Sequence, residues 1–188
     1  MHQDQIPWDP SAFSLPPNDY IAHLVQVTDY HINRIGNCSV FDPTVFLEKL
    51  ARTSSRSPPE ASELWQVEQL SVIALGKLLL ERGVTSLGPP GVREFLHGIK
   101  KLPPGIFLHQ EPITAIETLC LLAIYAQAVD MHRVAYLYVR TISHHGRSHS
   151  LANDVDFRWE KHPALLVATK WTEAQQDGIF RPISTPLD

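Results

Sequence analysis

The stretch ITAIETLCLLAIYAQAVD, residues 113–130, decides the fold class of this chain. Its apolar residues cover most sides of a helix rather than one stripe, which is the pattern of a helix buried on all sides. Pro112 precedes the stretch and suits the first position of a helix. Cys120 lies in its apolar run and is expected to be a small core residue. The stretch therefore predicts a deeply buried helix.

A second strongly apolar helix is predicted earlier in the chain. The segment ELWQVEQLSVIALGKLLLERG, residues 63–83, follows Ser62, and serine is a good N-cap residue. One face carries apolar residues at helical spacing, and neighbouring apolar residues widen that face. We expect this helix and the helix after Pro112 to form the centre of the core.

Shorter helices are predicted around these two. One covers residues 19–35, with Asn18 as its N-cap and Gly36 at its end. Another begins at Pro43 after the capping residue Asp42. Its predicted apolar stripe consists of Val45, Phe46 and Leu50.

Further helices are predicted in VREFLHGIKKL, residues 92–102, and in MHRVAYLYVRTISHH, residues 131–145. The second of these follows a very short link, so it should pack antiparallel to the helix before it. A last helix is predicted near residues 163–175. No segment shows strand-like alternation. The prediction is an all-α protein, a single bundle of about six or seven helices. Residues 1–17 would form an extended arm, 18–146 the helical domain and 147–188 a divergent segment.

Composition excludes several classes of function. The chain has 188 residues, is 44% hydrophobic and carries a formal net charge of −4. Its 16 Lys and Arg residues are spread thinly, which argues against direct nucleic-acid binding. No apolar run is long enough for a membrane helix. Only two cysteines occur and they form no CxxC pair, so an intracellular location, nucleus or cytoplasm, is expected.

Four segments together resemble the fungal-specific transcription factor domain, the middle homology region of zinc binuclear cluster regulators. They are LPPNDYIAHLVQVTDYHIN, VFDPTVFLEKL, QLSVIALGKLLLERG and AIETLCLLAIYAQAVDMHRVAYLY, which span residues 15–138 in the order typical of that family. Two cysteines cannot supply the six zinc ligands of the family's usual DNA-binding module. The resemblance therefore implies a shortened regulatory or effector-binding domain without its own DNA-binding module.

Three hypotheses about function follow. The first is a transcription-factor-like regulator that binds a hydrophobic small molecule or a regulator protein. The second is a cofactor-independent isomerase or cyclase of fungal secondary metabolism built on the same scaffold. The third is a dimerisation module, because helices missing from the family pattern would leave an apolar face uncovered. No cofactor is expected in any of the three.

Aromatic and ionisable residues on inward helix faces are the candidates for a pocket between helices. The catalytic candidates are His23, Tyr30, His132 and Tyr136. The ligand-binding candidates are Tyr20, His23, Trp65, His97, Tyr125 and Tyr136, and Asp130 belongs to the same set. Glu111 and Glu117 lie on one predicted helix and are interpreted as part of a solvated face.

The segment RTISHHGRSHS, residues 140–150, is rich in histidine. His145 and His149 would share a helix face and could bind zinc, with Asp154, Asp156 or His132 as a third ligand. No second ligand pair occurs at a recognised spacing. We favour a helix C-terminus ended by Gly146, where histidines suit the helix dipole, and predict no metal site.

Overall fold

A computed structural model describes most of the chain between residues 13 and 152. The described ranges are 13–35, 39–55, 62–81, 83–84, 88–105 and 108–152, without the side chains of 35, 54–55 and 145–152. These ranges contain six α-helices, which are α1 (Asn18–Thr28), α2 (Pro43–Ser55), α3 (Glu63–Leu80), α4 (Val92–Lys101), α5 (Pro112–Ala128) and α6 (His132–Ala152). No strand occurs in these ranges, so the all-α prediction is confirmed.

Helices α3 and α5 lie at the centre, as the sequence predicts. Ile73 of α3 and both Leu121 and Leu122 of α5 are 0% exposed. Helix α3 packs against α1, α4 and α5, whereas α6 packs against α5. Burying each such side chain contributes about 1.5–3 kcal/mol, so these two apolar helices supply much of the driving force for folding. Cys120 is buried there as a small core residue, as predicted.

Side-chain caps start two of the helices where the sequence places them. Ser62 Oγ accepts a hydrogen bond from the backbone N–H three residues later, at 3.1 Å. Asp42 Oδ1 accepts from the backbone N–H two residues later, at 2.8 Å. Helix α1 begins at Asn18 itself and Pro17 holds the N-cap position, so the predicted cap is wrong by one residue.

The helix predicted over residues 19–35 changes its winding at Asp29. From there to Ile35 the chain is π-helical. In a π-helix, residues five apart in the sequence lie next to each other. Asp29 accordingly accepts a 3.0 Å hydrogen bond from Arg34 Nε. The side chain of Asn33 also donates to the carbonyl of Phe41, at 2.9 Å. These bonds hold the returning chain against the end of the first helix.

The predicted apolar stripe of α2 is wrong at one position. Phe46 and Leu50 are 2% and 4% exposed, but Val45 is 47% exposed. Phe46 and Leu50 are four residues apart and share one helix face, whereas the side chain of Val45 points about 100° away from that of Phe46.

A Schellman motif joins α5 to α6. The N–H of Met131 donates to the carbonyl of Ala126 at 2.8 Å, and that of Asp130 to Gln127 at 3.2 Å. Asp130 occupies the left-handed position, with φ of 61°. The two helices pack against each other after this three-residue link, as predicted.

Two glycines allow helices to approach α3 closely. A Cβ at Gly76 would lie 2.7 Å from Leu24 Cβ of α1. Gly91, before α4, has φ of 78°, and a Cβ there would collide with the carbonyl oxygen of Ala74. These contacts fix α1 and α4 on α3 and so define the space left between the helices. The predicted helix near 163–175 and most of the proposed terminal segments lie outside the described residues, and the domain boundaries stay predictions.

Candidate functional site

A groove lies where the N-terminal segment (residues 13–17) meets α2, α3 and α4. Its volume is about 400 Å³, within the range typical of small-molecule sites. The groove is lined by Phe13, Leu15, Thr53, Gln66, Gln69, Leu70, His97 and Lys101. It therefore combines apolar walls with a few polar side chains, which is the usual composition of a ligand pocket.

The N-terminal segment is held in place by aromatic contacts with α4. The Phe13 ring stacks on the His97 ring, with centroids 4.3 Å apart and planes at 17°. The guanidinium of Arg93 lies 5.5 Å from the centroid of the same Phe13 ring, within the range of a cation–π contact. Phe13 therefore contacts two residues one turn apart on α4 and forms one side of the groove.

The polar groups of the groove come from α3 and α4. Lys101 Nζ donates to Gln66 Oε1 at 2.7 Å, and Gln69 is only 6% exposed. His97 Nδ1 is buried and has no hydrogen-bond partner within the described part of the chain. Burial lowers the pKa of His97, and the nearby cations Lys101, Lys100 and Arg93 lower it further. The imidazole is therefore neutral at pH 7.

Of the predicted ligand-binding residues, His97 lines this groove, whereas three others are structural. Tyr20 donates from its hydroxyl to Glu81 at 3.1 Å and links α1 to the end of α3. Trp65 is 6% exposed and packs on Phe46, with ring centroids 4.8 Å apart. Tyr125 is fully buried, and its hydroxyl donates to the carbonyl of Pro90 at 2.8 Å. Their role as ligand contacts stays a prediction.

The expectation that the candidates share inward faces is wrong for several of them. The exposed residues of the set are His23, Tyr30, Asp130 and Tyr136. Helix α1 turns its buried face, formed by residues such as Ile21 and Leu24, away from His23. Neither His23 nor Tyr30 lines the groove. The structure does not gather the four catalytic candidates into one site.

His132 and Tyr136 are the two catalytic candidates that lie together. They line an open hollow on α6 with Arg133 and Leu137. His132 Nδ1 is 3.2 Å from Gln127 Oε1, and its Nε2 is 3.6 Å from Asp130 Oδ1. The hollow is open to water, so it lacks the exclusion of solvent that strengthens electrostatic catalysis.

Glu68 in the core and the partly buried Glu117 form a separate ionisable pair that the sequence analysis did not identify. Glu68 of α3 is 2% exposed and its Oε2 has no hydrogen-bond partner among the residues described. Burial raises the pKa of Glu68 to about 8, and the neighbouring charge of Glu117 adds to this effect. Burial also raises the pKa of Glu117 to about 7, although Lys49 opposes the increase. Glu117 is partly exposed and lies one turn from the exposed Ile113, so its face of α5 is neither fully solvated nor fully buried.

Helix α6 runs through the segment RTISHHGRSHS. It continues past Gly146 to Ala152, so the prediction that Gly146 ends the helix is wrong. Tertiary contact with α5 and helical propagation outweigh the weak helix propensity of one glycine. His132 lies about 20 Å along the helix axis from His145, too far to be a third ligand with it. The described residues contain no group of three or more His, Cys, Asp or Glu side chains that could hold a metal ion.

Comparisons of the chain with protein-family models, curated proteins and solved structures found no match. Within the described ranges, no helix combines the length and the apolar character that crossing a bilayer requires. The groove between the N-terminal segment, α2, α3 and α4 is the candidate functional site.

Several groove residues were missed in the sequence. Gln66 and Gln69 are three residues apart on a helix that is otherwise apolar, and this spacing places them side by side. Two neighbouring polar residues in a helix predicted to be buried were the sequence signal that could have indicated a groove. Nothing in the sequence places Phe13 against His97, because that contact joins segments 84 residues apart in the chain.

Proposed function

We propose that this chain is a helical effector-binding domain of the regulatory type, and that it binds a small molecule in the groove between the N-terminal segment, α2, α3 and α4. The observation that carries the proposal is the groove itself, about 400 Å³ in volume and lined by both apolar and polar side chains. The resemblance to the fungal transcription factor domain supports a regulatory role. A domain of this type would act through its ligand and through protein contacts.

A screen of small molecules by ligand-observed NMR tests this proposal. Thr53 lines the groove, and its hydroxyl donates to the carbonyl of Lys49 four residues earlier. The variant Thr53→Trp should fill the groove and abolish binding of the hits. Thr141 of α6 makes the same kind of bond to Leu137, so Thr141→Trp is the matched control. Hits that bind both variants equally, or a screen without hits, would contradict the proposal.

Self-association is a second candidate, favoured by exposed apolar residues on α6. Tyr136 is 42% exposed and Leu137 is 58% exposed, next to each other beside the open hollow. Apolar patches of this kind often mark protein contacts. Sedimentation velocity should show dimers that Leu137→Glu dissociates; a monomer at all concentrations would exclude this alternative.

A further inference from the structure

We propose that the ligand of the groove is an organic monocarboxylate with an apolar body, and that Lys101 binds its carboxylate. This inference rests on the proposed function and adds the chemical class of the ligand. It follows from the charges around the groove, the neutral partner of Lys101 and the apolar walls.

Cations of α4 lie close to His97. Burial lowers the pKa of its imidazole, and Lys101, Lys100 and Arg93 lower it further. Glu94 is the acidic residue of α4, and it pairs with Lys77 of α3 at 2.8 Å. Its charge is therefore compensated at a different contact between the two helices, whereas the ammonium of Lys101 lies at the groove and favours an anion there.

The ammonium of Lys101 is bound by a neutral group. Its Nζ donates a 2.7 Å hydrogen bond to the amide oxygen of Gln66, at an exposed position. An ammonium has three donors, so it can bind a carboxylate while it keeps this bond. A hydrogen bond between an ammonium and a carboxylate is stronger than one between an ammonium and a neutral amide oxygen. A carboxylate should therefore bind Lys101 more tightly than a neutral group does.

The rest of the groove suits an apolar body. Phe13, Leu15 and Leu70 line it, and Leu15 is 47% exposed, so a ligand would cover apolar surface that now faces water. Each square ångström covered contributes about 25 cal/mol. Lys101 is the lysine or arginine among the described residues that line the groove. The site therefore favours one negative charge at one end of the ligand over a dianion such as a phosphate ester.

Isothermal titration calorimetry with decanoate and decanol as probes tests the inference. Decanoate should bind the full chain at least about tenfold more tightly than decanol, since a hydrogen bond to a charged group contributes about 1.5–3 kcal/mol. Lys101→Gln should remove this preference and leave decanol binding unchanged. Lys101→Arg should retain the preference. Arg133→Gln, on the exposed side of α6, is the control for a general loss of positive charge.

The outcomes distinguish an error in the class of ligand from an error in the position of the binding site. Equal affinity for the two probes, or a preference for decanoate that survives Lys101→Gln, would overturn the carboxylate assignment. If Thr53→Trp still removes binding of both probes, the groove remains the binding site. Failure of both probes to bind at 1 mM would also overturn the assignment, while the wider NMR screen decides on the groove independently. Circular dichroism checks that the Lys101 variants keep their helical content.

Discussion

Replacing Glu68 by glutamine should stabilise the protein above about pH 6. The carboxyl is 2% exposed, and its pKa is about 8 in the folded chain against an ordinary value of 4.5. Because the folded pKa is raised, the folded state binds more protons than the unfolded state between these two values. Stability is therefore fully present below pH 4.5 and decreases as the pH rises towards 8.

The magnitude follows from the same two values. One pH unit corresponds to about 1.4 kcal/mol. At pH 7, two and a half units above the ordinary pKa of 4.5, the wild-type chain should have lost about 3 kcal/mol relative to low pH. Glutamine keeps the shape and has no charge, so Glu68→Gln should lose none of this. Glu117 titrates in the same range, with a pKa of about 7, so the double variant should have the flattest profile.

Urea unfolding from pH 4.5 to 8 measures this difference. The free energy of unfolding of Glu68→Gln should exceed that of the wild type by an amount that grows with pH. Glu48→Gln is the control, because Glu48 is 60% exposed and only pairs with Arg52 on the surface of α2. Parallel profiles for Glu68→Gln and the wild type would refute the reasoning, since they would mean that Glu68 ionises in the fold as easily as in water.

Three further substitutions test the contacts that hold the helices. Gly91→Ala should destabilise the protein by about 3 kcal/mol in urea unfolding, because φ at Gly91 is 78° and the new Cβ would meet the carbonyl of Ala74. Gly105→Ala is the control and should change little, because no atom lies within 4 Å of a Cβ there. Equal effects of the two substitutions would contradict this account. Tyr125→Phe should lower the free energy of unfolding by about 1–2 kcal/mol, because the buried carbonyl of Pro90 would lose its hydrogen-bond donor. An unchanged denaturation midpoint would show that this hydrogen bond is dispensable. Asp130→Gly should raise the melting temperature, because glycine adopts the left-handed φ of 61° without strain, and the protein should gain up to about 1 kcal/mol of stability. A lower melting temperature would show that the side chain of Asp130 stabilises the protein by more than the strain costs.

The fold was largely predictable because its main signals are local. Ser62 and Asp42 cap their helices with their own side chains, and the apolar surface of α5 is continuous enough to require burial on all sides. The errors occur where contacts between residues far apart in the sequence determine how a helix winds or where it ends. The π-helical turn at Asp29 depends on a chain that returns at Phe41, and α6 passes Gly146 although a single glycine is a common helix end.

The candidate site was less predictable for the same reason. His97 was identified as a polar residue on a short helix, but its ring partner Phe13 lies in the N-terminal segment, which the sequence shows only as an extended arm. Tyr125 and Trp65 have the residue types of a binding site, yet burial assigns both to the core. Residue type and helix face therefore suggest candidates, whereas only the packing of the segments decides which of them border a groove.

The polar residues of α3 show how that decision is made. A buried polar group in the central helix must find a partner, or it destabilises the fold by about 1–3 kcal/mol. Ser71 finds one locally, in the carbonyl of Val67 at 2.7 Å. Glu68 leaves one oxygen without a partner among the described residues and instead raises its pKa, which keeps the carboxyl protonated at neutral pH. Gln69 is 6% exposed and lines the groove, so its amide is within reach of a ligand there. Of these three residues, Gln69 is the one that borders the groove, and this is the physical reason to look for function at the groove and not at the core acid.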